Sequence, residues 1–250
     1  MANVRRIVVG VSGASGAAYA QRTVGLLLAA GVEVHVVVSP LGQRLLHDEL
    51  GLERLDAAIV TRWGGEAGPV GPGDASSPPR LRNGPRNGPR NGPRQVTGRP
   101  RGKVVMHNYR DLGAVIASGS FLHDGMVIIP CSSNSLAAVA TGNQQNLLHR
   151  AAHVALKERR RLILVHRETP LSLVDIRNME QATLAGAIIC PANPGFYMLP
   201  HSVEEVVDYV AGRVLDLLNV PHRLRIRWGK VVEGGEGTPT SDTAFRGEKS

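Results

Sequence analysis

The residues able to do chemistry stand in short loops, each directly behind an apolar run. The first loop is Gly10-Val11-Ser12-Gly13-Ala14-Ser15-Gly16. Glycines let the backbone come close to a ligand, and a helix that starts after such a turn aims its first N–H groups at an anion. The glycine spacing is Gly10-x-x-Gly13-x-x-Gly16, not Gly-x-Gly-x-x-Gly, which disfavours a dinucleotide and fits a single phosphate. Ser39 follows the second apolar run, and Cys131-Ser132-Ser133-Asn134-Ser135 follows a later one as a helix start rich in hydroxyls and amides. Arg167-Glu168-Thr169-Pro170 comes next, pairing a group that binds anions with one that moves protons. The last loop, Pro191 to Tyr197, sets the aromatic pair Phe196-Tyr197 on a rigid turn. Each loop alone reads equally well as a tight turn, a helix cap or a surface ion pair. Their recurrence behind separate strands favours one shared site.

Further cations lie on helices. Arg150 and Lys157 are seven residues apart and share a helix face, and Arg213 stands on the final helix. Several cations with few metal-type ligands suggest a phosphate bound without a metal. Cys131 and Cys190 form no Cys-x-x-Cys pair, so both thiols read as small buried hydrophobes.

The elements that must position these loops alternate. Strands are expected over 5–11, 32–39, 124–130, 161–166 and 186–190, and helices over 17–30, 41–50, 135–141, 146–159, 172–185 and 203–218. This order implies an α/β fold: a flavodoxin-like, Rossmann-type, mostly parallel sheet with helices on both faces, three layers in all. Ligands of such sheets gather at the carboxyl ends of the strands. One domain is expected over 4–228.

Residues 64–103 break the pattern, with eight of the sixteen prolines and ten of the 29 glycines. A tandem Asn-Gly-Pro-Arg repeat starts at Asn83, Asn87 and Asn91 and has too little apolar content to bury a core. The stretch reads as a disordered insert, with order returning near residue 111 and a disordered tail over 229–250. The net charge of +8 is concentrated in this insert, which holds eight Lys and Arg against Glu66 and Asp74. The rest is close to neutral, so no nucleic-acid face is expected. No apolar run approaches the ~20 residues that span a bilayer, and the expected location is the cytoplasm.

Taken together the segments resemble the flavin prenyltransferases, the UbiX-like family. The matching pieces run in family order: Gly-Val-Ser-Gly-Ala-Ser-Gly-Ala, Ala-Ser-Gly-Ser-Phe (117–121), Pro-Cys-Ser (130–132), Asn-Leu-Leu-His-Arg-Ala-Ala (146–152), Leu-Lys-Glu-Arg-Arg (156–160), Arg-Glu-Thr-Pro (167–170), Pro-Gly-Phe-Tyr (194–197) and Arg-Val-Leu-Asp (213–216). His153 stands where the family usually has Asp. The resemblance implies transfer of a dimethylallyl group from dimethylallyl monophosphate to reduced flavin mononucleotide (FMN). It also implies a ring-shaped homo-oligomer, commonly a dodecamer, and a partner decarboxylase that receives the prenylated flavin. By position it assigns Gly13, Ala14, Ser15, Ser39, Ser132, Ser133, Asn134, Ser135 and Arg167 to the flavin nucleotide. Tyr197 and Arg213, with Arg150 and Trp228, would hold the substrate, and Glu49, Glu168 and Lys157 would be catalytic. The alternatives are an FMN-dependent cysteine decarboxylase and a non-enzymatic flavin delivery protein.

Overall fold

In the computed structural model, which describes residues 4–64 and 102–224, six short runs rich in Val, Ile and Leu become strands. They are β1 (Arg6–Val11), β2 (Glu33–Val38), β3 (Lys103–His107), β4 (Gly125–Cys131), β5 (Leu162–His166) and β6 (Ile188–Ile189). All adjacent pairs are parallel, in the order β3-β2-β1-β4-β5-β6. Every residue of β4 is buried, as a central strand covered on both faces requires. Among the described residues six α-helices connect the strands, α1 (Ala17–Ala29), α2 (Pro40–Leu50), α3 (Ala57–Trp63), α4 (Ser133–Thr141), α5 (Leu147–Lys157) and α6 (Leu173–Leu184), and α7 (Val203–Leu217) follows β6.

Alternation along each strand splits the core in two. Ile7, Val9 and Val127 face α1, α3 and α7 through Val24, Leu27, Val60, Val210 and Val214. Val8, Met126 and Ile128 face α4, α5 and α6 through Leu136, Leu148, Ala151 and Ala182. The expected three-layer sheet is therefore present. Its strand order is the Rossmann-type one, which reverses direction between β1 and β4 and opens a crevice at their carboxyl ends.

Two elements depart from the sequence reading. Order returns at Gly102, not near residue 111, because Lys103–His107 pairs with Glu33–Val37 as the edge strand. Lys103 thus belongs to the sheet and not to the insert. Helix α3 was not expected; Asp56 caps it by accepting from the Ile59 amide at 2.9 Å. The rest of the insert, the tail and Trp228 lie outside the described residues.

Candidate functional site

Three strand-end loops are tied together at the crevice. The buried Ser12 hydroxyl donates to the Pro130 carbonyl (2.9 Å) and accepts from the Ser132 amide (2.8 Å), joining the β1 loop to the β4 loop. The Arg167 amide donates to the Cys131 carbonyl (3.2 Å), and the Arg167 Nε donates to the Ser15 carbonyl (3.1 Å), bringing the β5 loop across both. The Ser39 amide donates to the Val11 carbonyl (2.9 Å) at the end of β2. Ser15, Ser39, Ser132 and Arg167 therefore meet at one edge, although 152 residues separate Ser15 from Arg167. Pro130 sits at the point where the β4–β5 register shifts, a position that needs no ladder donor.

The glycine turn behaves differently from its expected role. Gly16 takes a φ of 121°, which bends the chain into α1. The Gly16 and Ala17 amides do not face an empty cradle: they donate to the Glu49 carboxylate, at 3.0 Å and 2.7 Å. Glu49 thus caps α1, which has no side-chain cap of its own from its N-cap residue. A side-chain carbon on Gly13 would lie 2.5 Å from the Leu41 Cβ, so only glycine lets the turn lie against α2.

Donors remain for an anionic or carbonyl-rich ligand. Among the described residues, the amides of Gly13, Ser15, Ser133 and Asn134 have no partner. The last two open α4, where a helix supplies partial positive charge. Ser39 Oγ accepts from the Gly42 amide, which leaves its hydroxyl proton to be donated, while Ser132 Oγ accepts from the Ser135 amide and shares a proton with Ser135 Oγ at 3.4 Å. Ser15 is exposed at the rim, and Asn134 is exposed beside Ser132. Ala14 is buried. This donor set fits a nucleotide phosphate and flavin carbonyls.

Ser133 is turned inward. Its hydroxyl lies 3.2 Å from His166 Nε2 and bonds Asp175, and Asp175 also accepts from the Ser172 hydroxyl and amide in a capping box that starts α6. The Ser172 hydroxyl, then the Ser133 hydroxyl, hold the Asp175 carboxyl down at about 2. Burial lowers the His166 pKa. Glu168, exposed, accepts from the Thr169 amide next to Arg167.

A second group forms at the end of β6. Tyr197 and Tyr209 touch through their hydroxyls (3.1 Å) and stack edge to face at 6.0 Å. Arg213 lies one turn beyond Tyr209 on α7 and pairs with Asp216 at 3.3 Å. The Ala192 amide donates to the His166 carbonyl (2.9 Å), linking this group to the segment that carries Arg167.

The two cations of α5 part company. Arg150 stands in its first turn, bonded to the Ala117 carbonyl and the Gln144 side chain. Lys157 ends the helix, paired with Glu158 against Gly119. The neighbouring Phe121 ring sits under the Arg6 guanidinium, at the start of β1. Within one chain Lys157 therefore lies at the amino edge of the sheet, away from Ser15 and Arg167.

Ser12, His149, Asp175 and Tyr209 were not singled out by the sequence. Each gains its place from a contact distant in the chain, and only the serine richness of the loops hinted at one of them. Among the described residues no group of His, Cys, Asp and Glu is arranged to hold a metal ion, and no helix is long and apolar enough to cross a membrane.

The family model described as Flavoprotein matches residues 1–215. The flavin prenyltransferase UbiX of Halalkalibacterium halodurans is 37% identical over 222 residues, covering 89% of this chain and 92% of that protein. A crystal structure of AnUbiX (PadA1) in complex with FMN and dimethylallyl pyrophosphate superposes with a TM-score of 0.66 at 34% identity, covering 87% of this chain and 93% of that one. A dodecameric FMN-dependent UbiX-like decarboxylase from Escherichia coli O157:H7 superposes at 0.68 with 31% identity, covering 90% and 100%. The chain thus belongs to the flavoprotein family and, within it, to the flavin prenyltransferases.

Proposed function

We propose that this protein joins a dimethylallyl group, taken from dimethylallyl monophosphate, to reduced FMN. The observation that carries this reading is the meeting of Ser15, Ser39, Ser132 and Arg167 at the β1–β4 crevice, with unpartnered amides beside them. Bound there, FMN supplies the nucleophilic ring that accepts the allyl group. The α4 amides and the hydroxyls of Ser39 and Ser132 would bind its acceptor atoms, and Arg167 would hold it from the Ser15 side.

Departure of the allylic phosphate builds negative charge on oxygen. Fixed cations stabilise such charge best when they are in place beforehand. Arg213, with Tyr197 beside it, would hold this phosphate, and Arg150 would add a further positive charge. Glu168 stands next to Arg167 and is exposed, so its carboxylate can take the proton lost when the second ring closes. Glu49, already bonded to two amides of α1, would act mainly by holding the turn that carries Ser15 and only secondarily as a proton acceptor.

A homo-oligomer fits the same reading. Leu173, Val174 and Ile176 on α6, and Phe196, Leu199 and Val203 before and at the start of α7, are more than half exposed apolar side chains. Lys157 keeps a catalytic role only if a neighbouring copy presents it. A dodecamer and a partner decarboxylase that consumes the product rest on family likeness. The cytoplasm is the compartment that suits two free thiols. The test is incubation with reduced FMN and dimethylallyl monophosphate: the flavin should gain one dimethylallyl unit by mass, and unchanged flavin would end this reading.

A further inference from the structure

His149 is a buried imidazole behind the flavin edge whose hydrogen bonds leave it one tautomer. Asn146 caps α5, and its Oδ1 accepts from the His149 amide at 3.0 Å. That bond fixes which way the Asn146 amide faces, and its Nδ2 then lies 2.9 Å from His149 Nδ1. An NH₂ group can only donate, so Nδ1 must be the unprotonated nitrogen and Nε2 must carry the proton. Nε2 lies 3.1 Å from Ser135 Oγ and so donates to it. Burial favours the neutral ring, with His149 6% exposed and Ser135 3%.

The consequence falls on the pair Ser132 and Ser135, whose hydroxyl oxygens are 3.4 Å apart. The pair has two hydroxyl protons. One is used between the two oxygens. With His149 donating from behind, the other has no acceptor among the described residues and is left for a ligand. With the opposite tautomer, Ser135 would donate back to the imidazole and the pair would offer no donor at all. We propose that His149 is a positioning residue that sets the hydrogen-bond polarity of the Ser132–Ser135 pair, so that the site presents a donor and selects an acceptor atom of the flavin nucleotide there. This rests on the reading of that edge as the flavin site.

The experiment measures FMN and riboflavin dissociation constants for the full-length protein and for His149→Gln, His149→Leu, Ser135→Ala and the Leu–Ala double variant. His149→Gln keeps a donor and should bind FMN within about threefold of the wild type. His149→Leu should bind about tenfold more weakly, and the double variant no more weakly than Ser135→Ala alone, because the two act through one proton. A loss seen for FMN and not riboflavin identifies the phosphate as the acceptor; an equal loss identifies a ring atom. A neutron structure of the wild type should show the deuteron on Nε2, and it decides the matter if the Leu variant does not fold. A deuteron on Nδ1, or full FMN affinity in a folded Leu variant, overturns the proposal. Wild-type protein that binds no flavin would instead overturn the functional reading beneath it.

Discussion

Replacing Ser12 by alanine removes one oxygen that two strand-end loops share. In the wild type this hydroxyl, 2% exposed, accepts from the Ser132 amide at 2.8 Å and donates to the Pro130 carbonyl at 2.9 Å. The Pro130 carbonyl keeps a second partner, the Ser12 amide at 3.2 Å, so its loss is small. The Ser132 amide keeps none among the described residues. An unpartnered, largely buried donor costs about 1–3 kcal/mol, and partial access of water to the half-buried Ser132 puts the expected loss near 2 kcal/mol. For a domain of this size that lowers the midpoint of thermal unfolding by about 4–8 °C. The same change frees the start of α4 from the β1 loop, so FMN should bind about tenfold more weakly, a loss of about 1.4 kcal/mol. Differential scanning fluorimetry and quenching of flavin fluorescence read the two effects on one sample. A variant that melts within about 1 °C of the wild type and binds FMN equally well would refute the claim that Ser12 joins the two loops.

Other perturbations separate the remaining roles. Glu168→Gln should bind FMN normally and lose at least a hundredfold in prenyl transfer, as removal of a general base typically costs about 10²–10⁴; wild-type turnover would remove Glu168 from the chemistry. His35, His107, His123, His149 and His166 all have pKa values lowered by burial, so the unfolded chain takes up protons first as pH falls. Their contribution is complete above about pH 6.5 and is lost as pH drops below it, so urea midpoints should fall between about pH 6.5 and 5, and flat midpoints would contradict this. Asp175 is shifted the other way, to about 2, so its contribution is complete above about pH 4 and disappears as pH falls through 2. Asp175→Asn should therefore be less stable than the wild type at pH 7, with the gap closing in acid; a constant gap would show that the charge is not what matters.

The legible part of the molecule was the part set by local pattern. Ile7-Val8-Val9 and Ile128-Ile129 are apolar on both faces and can only be buried strands, and the run from Ala17 to Ala29 has a helical stripe. The site's outline followed from reading what stands behind each strand. β3 escaped because its five residues border an Arg- and Gly-rich stretch and its place in the fold comes from pairing with β2. Glu49 is 32 residues from Ala17, and nothing local says that its carboxylate takes the amides expected for a ligand. The inward turn of Ser133 depends likewise on His166 and Asp175, which only the folded sheet brings near. Side chains that position other side chains are set by tertiary contact, and a single sequence carries little trace of them.

Mass analysis of the flavin extracted after anaerobic incubation of the purified protein with reduced FMN and dimethylallyl monophosphate bears most directly on the whole account. Flavin carrying one added dimethylallyl unit, formed by the wild type and lost on Arg167→Ala, is the result expected. Unmodified flavin from a folded, FMN-binding wild type would mean that the crevice between β1 and β4 binds the nucleotide without performing this transfer.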